Sequence, residues 1–411
     1  MSIIKPFRGY RPPSDIAGKV SSPPYDVLSS DEARKIAQNN PNSFLRIIKP
    51  EVDLIPGTNP SANFLHQHAA ENLQHFIQSG ELIQDQEPCF YIYAITLGVH
   101  TQTGIMAAVS VIDYNNGNIK KHEFTHQDKE NDRSRHIEIT NANTGPVFLT
   151  FRNDSEFQKL IESIKNQIAD ISFQAEDYTI HKLWKISSPN VQESLSNYFQ
   201  KIPYFYIADG HHRAASASRV QKIRQNANSC HKGNESYNYF LAVIFPHDEM
   251  KILDYNRVVK DLNGLTDSQF LDSIHTKFIL NILPKSIRPN TRNIFSMFLR
   301  GNWYQLKAKD EILSDDPVEG LDASILQKYL LQPVLGINDP RTDDRIDFVG
   351  GIRGLDELER RCNLDAEVAF ALYPVSIDDL FTVADAKKMM PPKSTWFEPK
   401  LRSGLVVRLL D

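Results

Sequence analysis

The sequence predicts an α+β fold, or an irregular α/β fold, in which a mixed sheet is flanked by helices. Two apolar runs, 90–95 and 105–112, are separated by Gly98 and Gly104, a pattern typical of adjacent strands. Beyond residue 150, segments with helical periodicity alternate with short apolar runs, which indicates helices packed on a sheet. The chain has no internal repeat and no low-complexity tract, so a repeat architecture is not expected.

The elements follow in order from an extended arm, residues 1–28, which is rich in Pro and Gly and lacks helical periodicity. An acidic first turn at 30–32 begins a short helix that ends near Gln38. Residues 43–49 predict a short strand, and Asn59-Pro60 begins a longer helix that Gly80 ends. The tight turn Asn115-Asn116-Gly117 then precedes a polar stretch, 118–145.

Apolar runs predict further strands, and amphipathic segments between them predict helices. The best marked boundary is Asn263-Gly264, which predicts a mixed α/β core over 1–262 and an α+β C-terminal region over 263–411. The predicted strands are 147–151, 179–186, 203–208, a hairpin of 239–245 with 251–255, 303–307, 368–374 and 404–410; the predicted helices are 154–170, 190–200, 211–226, 322–332, 354–362 and 376–388.

Composition limits the classes of function. The formal net charge is -5 over 411 residues, which disfavours nucleic acid as a partner. Cys89, Cys230 and Cys362 are scattered, so neither a disulfide framework nor a thiolate zinc site is expected. No signal peptide and no apolar run of bilayer length is present, and we therefore expect a cytoplasmic protein without a membrane partner. The oligomeric state is left open.

The strongest local signal is the strand 204–208 followed by Asp209-Gly210-His211-His212-Arg213 and an alanine-rich helix. The free N–H groups of a first helical turn favour an anion there, and Arg213 can bind a phosphate or carboxylate through two hydrogen bonds. Asp209 can cap the helix, bind a metal or act as a base. The alternative is an ordinary helix start with a solvated histidine pair.

This turn resembles the ParB/sulfiredoxin superfamily, some of whose members phosphorylate free serine while others bind and hydrolyse CTP or ATP. The chain as a whole resembles the family called domain of unknown function 1015. That resemblance implies a link to serine biosynthesis, and so to serine or phosphoserine chemistry. The matching motifs are Pro6-Phe7-Arg8-Gly9, Pro23-Pro24-Tyr25-Asp26, Lys121-His122-Glu123, Asp132-Arg133, Asp209-Gly210-His211-His212-Arg213 and Met390-Pro391-Pro392-Lys393-Ser394-Thr395.

A second cluster begins at His122-Glu123-Phe124-Thr125-His126, whose letters match the zinc protease pattern HExxH. That pattern binds zinc only on a helix, and a β-prone Phe-Thr pair after a turn does not predict one. A strand leading into a polar loop would instead leave Glu123 as a general base or magnesium ligand. Lys121, Lys129 and Arg133 would then bind phosphate, unless this stretch is only a charged exposed loop.

A third cluster is Lys393-Ser394-Thr395, followed by Lys400. It lacks the glycines and the preceding strand of a Walker A loop, so that motif is rejected. Pro391, Pro392 and Pro399 stiffen the segment, which can hold its lysines towards an anion or serve as a rigid clasp.

Together these clusters suggest a phosphoryl-transfer enzyme that acts on a small hydroxy-amino acid or its phosphate ester, of the serine kinase or phosphoserine phosphatase type. Its cofactors would be Mg²⁺ or Mn²⁺ and, in the kinase direction, ATP or ADP. The alternatives are a ParB-like nucleotide-binding regulator or clamp and a zinc metallohydrolase. The expected catalytic residues are Glu123, Asp209, His211 and His212; Glu123 and Asp209 would hold the metal; Gly210, Arg213, Lys121, Lys129, Arg133, Lys393, Ser394 and Thr395 would bind phosphate; and Arg8, Tyr25 and Asp26 would line the site.

Overall fold

A computed structural model describes residues 3–58 and 60–410, and its chain divides into two compact units. The first unit combines residues 1–121, 125–250 and 399–411, and the second combines 122–124 with 251–398. The sequence places a boundary near 263, whereas the strand Tyr255–Val259 already belongs to the second unit. The last thirteen residues return to the first unit, which no local sequence signal predicts.

A mixed sheet forms the centre of the first unit, as the sequence predicts. Nine strands of the described chain belong to it, two neighbouring pairs being parallel and the others antiparallel. Ile4–Lys5 adds to one edge of His100–Ser110. Across the sheet the order is Ile119–Lys120, Phe205–Asp209, Val147–Phe151, Tyr239–Pro246, His100–Ser110, Phe90–Leu97, Ile180–Ile186 and Ile171–Gln174.

Helices cover the sheet because their apolar stripes need burial. Phe157 and Ile161 from one helix and Leu195 and Phe199 from another pack into the same core as the inward-facing strand residues. A smaller core joins the N-terminal helices to Val407 from the C-terminal return. The helices are Ala17–Val20, Ser30–Gln38, Leu45–Ile48, Ala62–Gln78, Val111–Asn115, Gln127–Thr140, Glu156–Lys165, Pro189–Lys201 and His211–Ala227; short strands Tyr10–Arg11, Ile83–Gln84, Ala142–Asn143 and Arg408–Leu409 complete the unit.

The second unit is built on an antiparallel sheet with its own core. Among the described residues this sheet has six strands, in the order Phe278–Leu283, Asn302–Ala308, Ile294–Leu299, Val368–Ala371, Tyr255–Val259 and Ile346–Gly350. Lys251–Leu253 pairs separately with Trp396–Glu398. The α-helices are Asp267–Ile274, Asp322–Leu326, Asp356–Leu364 and Ile377–Asp385, and Gln327–Leu331 is a π-helical turn.

Several local predictions are wrong for physical reasons. Residues 45–48 form a helix rather than the predicted strand, and Leu45, Ile47 and Ile48 are all buried. Because a short apolar run of this kind shows no periodicity, its sequence does not distinguish a helix from a strand. The hairpin of 239–245 with 251–255 does not form: Tyr239–Pro246 already has a strand on each side. The strand predicted over 404–410 shrinks to Arg408–Leu409.

Candidate anion-binding site

The Asp209 turn, residues Asp209–Arg213, joins the strand Phe205–Asp209 to the helix His211–Ala227. The pairing register shifts between Ile207 and Asp209, a bulge that redirects the end of the strand. Gly210 follows with a φ of 92°, a left-handed conformation that glycine adopts without strain. The N-cap residue Gly210 makes no side-chain capping hydrogen bond, and the start of a helix favours an anion through its dipole.

Arg213 is largely buried and lies across the bend. Its Nη1 donates to the carbonyl oxygen of Pro146, and Nη2 lies 3.7 Å from Asp26 Oδ2 and 3.8 Å from Asp209 Oδ1. Its Nε is buried and has no hydrogen-bond partner in the part of the chain that the structure describes. The guanidinium lies against Gly210, where a Cβ would come within 3.1 Å of Nε. The turn therefore presents an unsatisfied, positively charged donor.

Asp209 is held by cations on two sides. Lys400 Nζ, from the C-terminal return, lies 2.9 Å from Asp209 Oδ2. Burial alone would raise the pKa of Asp209, but the charges of Lys400 and Arg213 outweigh it and lower that pKa below its ordinary range. Asp209 is therefore ionised at neutral pH, and one of its oxygens is already bonded to an ammonium group.

A cavity of about 520 Å³, including its open mouth, lies beside Arg213. We call it the Arg213 cavity. It is lined by Pro24, Tyr25, Ile48, Arg133, His136, Ile137, Asn143, Thr144, Gly145, Val147, Arg213, Phe240, Leu241 and Ser403.

Arg133 supplies a second guanidinium to the Arg213 cavity. It comes from the helix Gln127–Thr140 and lies over the Tyr25 ring, 4.5 Å from the ring centroid. Burial, together with the charge of Asp26, raises the pKa of Tyr25 to about 12, so this phenol stays protonated. The predicted residues Tyr25, Asp26, Arg133 and Arg213 are thus brought together, although they lie far apart in sequence.

His136, one helical turn after Arg133, also lines the cavity. Its Nε2 lies 3.1 Å from the carbonyl oxygen of Ile47, which requires the proton to be on Nε2. Burial and the charge of Arg133 lower the pKa of His136 to about 3. His136 is therefore a neutral imidazole in the physiological pH range.

The two histidines of the turn have different environments. His211 is buried, whereas His212 stacks on His126 with 6.1 Å between ring centroids. His212 Nε2 accepts a hydrogen bond of 3.0 Å from the backbone N–H of His126. Burial and nearby Lys129 lower the pKa of His212 to about 4. In this arrangement Nε2 of His212 is occupied, which disfavours that atom as a nucleophile.

Other predicted site residues lie away from the Arg213 cavity. Arg8 Nε donates to the carbonyl oxygen of Asp85 at 3.0 Å, and Lys121 Nζ lies 3.8 Å from the centre of the Tyr114 ring. Neither side chain lines the cavity. Burial lowers the pKa of Lys121. This ammonium group nevertheless lies outside the lining of the Arg213 cavity.

Lys129, on the helix Gln127–Thr140 of the first unit, does not line the cavity either. The other predicted residues belong to the second unit, where two of the sequence clusters meet. The carbonyl oxygen of His122 accepts from the Met390 N–H at 2.8 Å, and His122 Nε2 lies 3.4 Å from Thr395 Oγ1. Glu123 follows His122 in this segment, and Ser394 Oγ donates to the Pro391 carbonyl at 2.7 Å. Lys393 has a φ of 58° and lies 5.6 Å from the Tyr255 ring centroid. The catalytic role of Glu123 stays a prediction.

The zinc interpretation fails on geometry. Residues 122–126 are not helical, and the helix begins only at Gln127, so His122 and His126 do not share a helix face. Within residues 3–58 and 60–410, no group of three or more His, Cys, Asp or Glu side chains could hold a metal ion. The same described chain contains no helix long and apolar enough to cross a membrane.

Sequence reasoning missed part of the cavity wall. Asn143, Thr144 and Gly145 precede the strand Val147–Phe151, and Ser403 comes from the C-terminal return. The signal for the first three is a polar Asn-Thr-Gly-Pro segment directly before a buried strand. Ser403 gives no such signal, because only the topology of the chain brings it to the cavity.

Fold and site together define an α+β protein with a candidate anion-binding turn between a strand and a helix. The chain belongs to the family described as protein of unknown function (DUF1015), whose model matches residues 4–324. That range contains Tyr25, Arg133 and Arg213, and it ends before Lys400 and Ser403. No curated protein matches the sequence.

Solved structures with a similar fold include three that share 10–12% sequence identity with this chain and cover 72% of it. SbnI with a C-terminal truncation, from Staphylococcus aureus, has a TM-score of 0.39 at 11% identity, with 85% of its own chain covered. A free serine kinase in complex with AMP has a TM-score of 0.35 at 10% identity, with 86% covered. A conserved hypothetical protein from Pyrococcus furiosus has a TM-score of 0.33 at 12% identity, with 90% covered. Scores this low say nothing about what this chain binds.

Proposed function

We propose that this protein is a phosphoryl-transfer enzyme that binds a phosphate group at the Asp209 turn. The observation that supports this most directly is Arg213 Nε, a buried donor without a partner in the described chain. Leaving a buried polar group unsatisfied costs about 1–3 kcal/mol. A phosphate oxygen at the helix start would satisfy this donor, and the helix dipole favours an anion in the same place.

The charge of the Arg213 cavity favours a phosphate over a neutral ligand. Two guanidinium groups, Arg133 and Arg213, line its wall, and a phosphate monoester carries up to two negative charges near neutral pH. Asn143, Thr144 and Ser403 add neutral hydrogen-bonding groups to the same wall. This combination suits a small hydroxylated substrate, and a hydroxy-amino acid such as serine, or its phosphate ester, is our proposed substrate.

The proposed role of Asp209 is to fix the cations of the turn. Its carboxylate lies 2.9 Å from Lys400 Nζ and 3.8 Å from Arg213 Nη2, so it holds both groups near the helix start. In phosphoryl transfer, positioning and neutralisation of charge supply most of the catalysis. Asp209 would therefore contribute through the cations that it orients.

A resident Mg²⁺ or Mn²⁺ does not fit at Asp209, because one carboxylate oxygen is bonded to an ammonium group and the other faces Arg213. A divalent ion would instead arrive bound to the phosphates of a nucleotide, which is the usual mode for Mg²⁺. ATP or ADP is the nucleotide that we propose for the kinase direction. The phosphatase direction would use water as the phosphoryl acceptor.

The proposal is tested by a screen for phosphate release and phosphate transfer with Mg²⁺, over serine, phosphoserine, ATP, ADP and CTP. Binding of the active ligand is then measured by calorimetry on wild type and Arg213→Ala. The substitution removes a charge-assisted pair, so affinity should fall by on the order of 30- to 150-fold, equivalent to about 2–3 kcal/mol. Arg213→Lys, which keeps the charge but not the planar fork, should recover only part of the affinity.

Arg219→Ala is the matched control, since Arg219 is an exposed arginine on the same helix that bonds Asn131. It should bind ligand as wild type does. Binding of a nucleotide without turnover would favour the alternative function, a nucleotide-binding regulator, over an enzyme. No binding of any phosphorylated ligand at millimolar concentration would refute the anion site.

A further inference from the structure

A further carboxylate, that of Asp132, is hydrogen-bonded to Arg133, which lines the Arg213 cavity. Asp132 Oδ2 accepts from Arg133 Nε at 2.9 Å and from Arg133 Nη2 at 2.6 Å. Asp132 Oδ1 lies 3.2 Å from Nε2 of His66, an imidazole that is only 4% exposed. Both carboxylate oxygens are therefore occupied, one by the helix that carries Arg133 and one by the neighbouring helix Ala62–Gln78.

We infer that Asp132 is a positioning residue that, with His66, holds the Arg133 guanidinium in a fixed orientation towards the bound phosphate. This inference rests on the proposed function. Asp132 occupies one edge of the guanidinium, and the Tyr25 ring lies against its face at 4.5 Å. An arginine has five N–H donors in a planar fork. With Nε and one Nη2 donor engaged, the donors of Nη1 remain for a ligand in the cavity that Arg133 lines.

The charge state of Asp132 fits this role. Partial burial would raise the pKa of Asp132, but the hydrogen bond from His66 and the charge of Arg133 lower it below its ordinary range. The carboxylate thus stays ionised wherever the protein is folded near neutral pH. An ionised acceptor forms the stronger hydrogen bond to a guanidinium, and a long side chain fixed in advance loses less freedom when a ligand binds.

Asp132→Asn tests the inference, because asparagine keeps the shape but loses the charge and one acceptor. Binding of inorganic phosphate and of ADP with Mg²⁺ is measured by calorimetry on wild type, Asp132→Asn, Arg133→Ala and the double variant. We expect Asp132→Asn to weaken binding about tenfold, because a neutral hydrogen bond replaces a charge-assisted one that fixes the guanidinium. In the Arg133→Ala background the same change should have almost no effect, since the group that it positions is gone.

Asp132→Glu should restore part of the affinity, and Asp128→Asn, an exposed acid on the same helix, should bind as wild type does. The melting temperature of each variant is recorded as well, to distinguish a positioning role from a structural one. If Asp132 were purely structural, its substitution would lower the melting temperature, and the loss of affinity would not depend on the presence of Arg133. An equal loss in the presence and absence of the Arg133 side chain overturns the inference. If wild type binds neither anion, the proposed function fails and the inference fails with it; if wild type binds and Asp132→Asn binds equally well, only the inference fails.

Discussion

Arg213 and His136 both line the Arg213 cavity, and burial affects the charge of these two side chains differently. The guanidinium of Arg213 keeps its charge because Asp26 and Asp209 lie within 4 Å of it. The imidazole of His136 instead loses its charge, because burial and the charge of Arg133 outweigh its hydrogen bond to the Ile47 carbonyl oxygen. Arg213 thus stays cationic and can attract an anion. His136 stays neutral, and its protonation makes the stability of the folded protein depend on pH.

His136 should make the folded state sensitive to mild acid. Its pKa is lowered from 6.5 to about 3, so between these values the unfolded chain binds more protons than the folded one. The contribution of this group to stability is complete above pH 6.5 and is lost as the pH falls towards 3. Each pH unit in this window costs about 1.4 kcal/mol for one such histidine.

Urea unfolding of wild type and His136→Gln at pH 7, 6 and 5 measures this dependence. We expect stability to fall less steeply with acid in the variant, even though glutamine lowers stability at pH 7. His75→Gln, which replaces an exposed imidazole on the helix Ala62–Gln78, should keep the wild-type slope. Identical slopes for all three proteins would show that His136 is not buried as a neutral group.

The secondary-structure elements show how far local sequence carries. The strand, the glycine bend and the helix around residue 209 were predicted correctly, because each depends on residues adjacent in the chain. The helix Gln127–Thr140 was missed: its buried positions include Ser134, His136 and Thr140, so it lacks the apolar stripe that marks a helix. Its burial comes from partners on other helices, which a local pattern does not contain.

The same limit applies to the site. The Asp209 turn was predicted from its own residues, and Tyr25, Asp26 and Arg133 came from motifs matching a family. The contact of Lys400 with Asp209 was not predicted, because it spans 191 residues and depends on the return of the C-terminus. Glu123 was assigned from a predicted strand that leads into a polar loop, and nothing local indicates that its segment belongs to the second unit.

The strand-to-helix bend should tolerate no side chain at position 210. Gly210→Ala would carry the strain of a φ of 92°, about 1–2 kcal/mol, and its Cβ would press on the Arg213 guanidinium at 3.1 Å. Gly233→Ala is the matched control, since Gly233 has a φ of 88° with no atom within 4 Å of the Cβ position. Both variants should lose similar stability, measured by thermal unfolding.

Only Gly210→Ala should also lose affinity for the phosphate ligand, measured by calorimetry, because it alone displaces Arg213. Equal affinity in the two variants would show that the orientation of Arg213 does not matter for binding.

At the scale of the whole chain, the C-terminal return completes the first unit. Val407 exchanges backbone hydrogen bonds of 2.7 and 2.8 Å with Tyr10, and Ser403 pairs with Ser22 in the same way at 2.9 Å. Arg402 bonds the buried His181 at 3.2 Å. The return therefore fastens the N-terminal arm and one face of the sheet.

A chain ending at Glu398 should not hold the first unit in its folded state. Leu401, Leu405, Val406 and Val407 are nearly fully buried, and at about 1.5 kcal/mol or more each they contribute on the order of 6 kcal/mol, comparable with the whole stability of a domain. We expect limited proteolysis to digest the first unit of the truncated chain. A synthetic peptide of residues 399–411 added in trans should protect it, and a scrambled peptide should not. Resistance to protease without any peptide would show that the return is dispensable.

This return also sets the order of events during synthesis. Lys400 and Ser403, which belong to the candidate site, follow residues 251–398 of the second unit in the sequence. Domains usually fold from the N-terminus while the rest of the chain is still being made. Here residues 399–410 of the first unit are translated after residues 251–398 of the second. A polypeptide interrupted within the second unit therefore lacks Lys400 and Ser403, and with them part of the proposed ligand site.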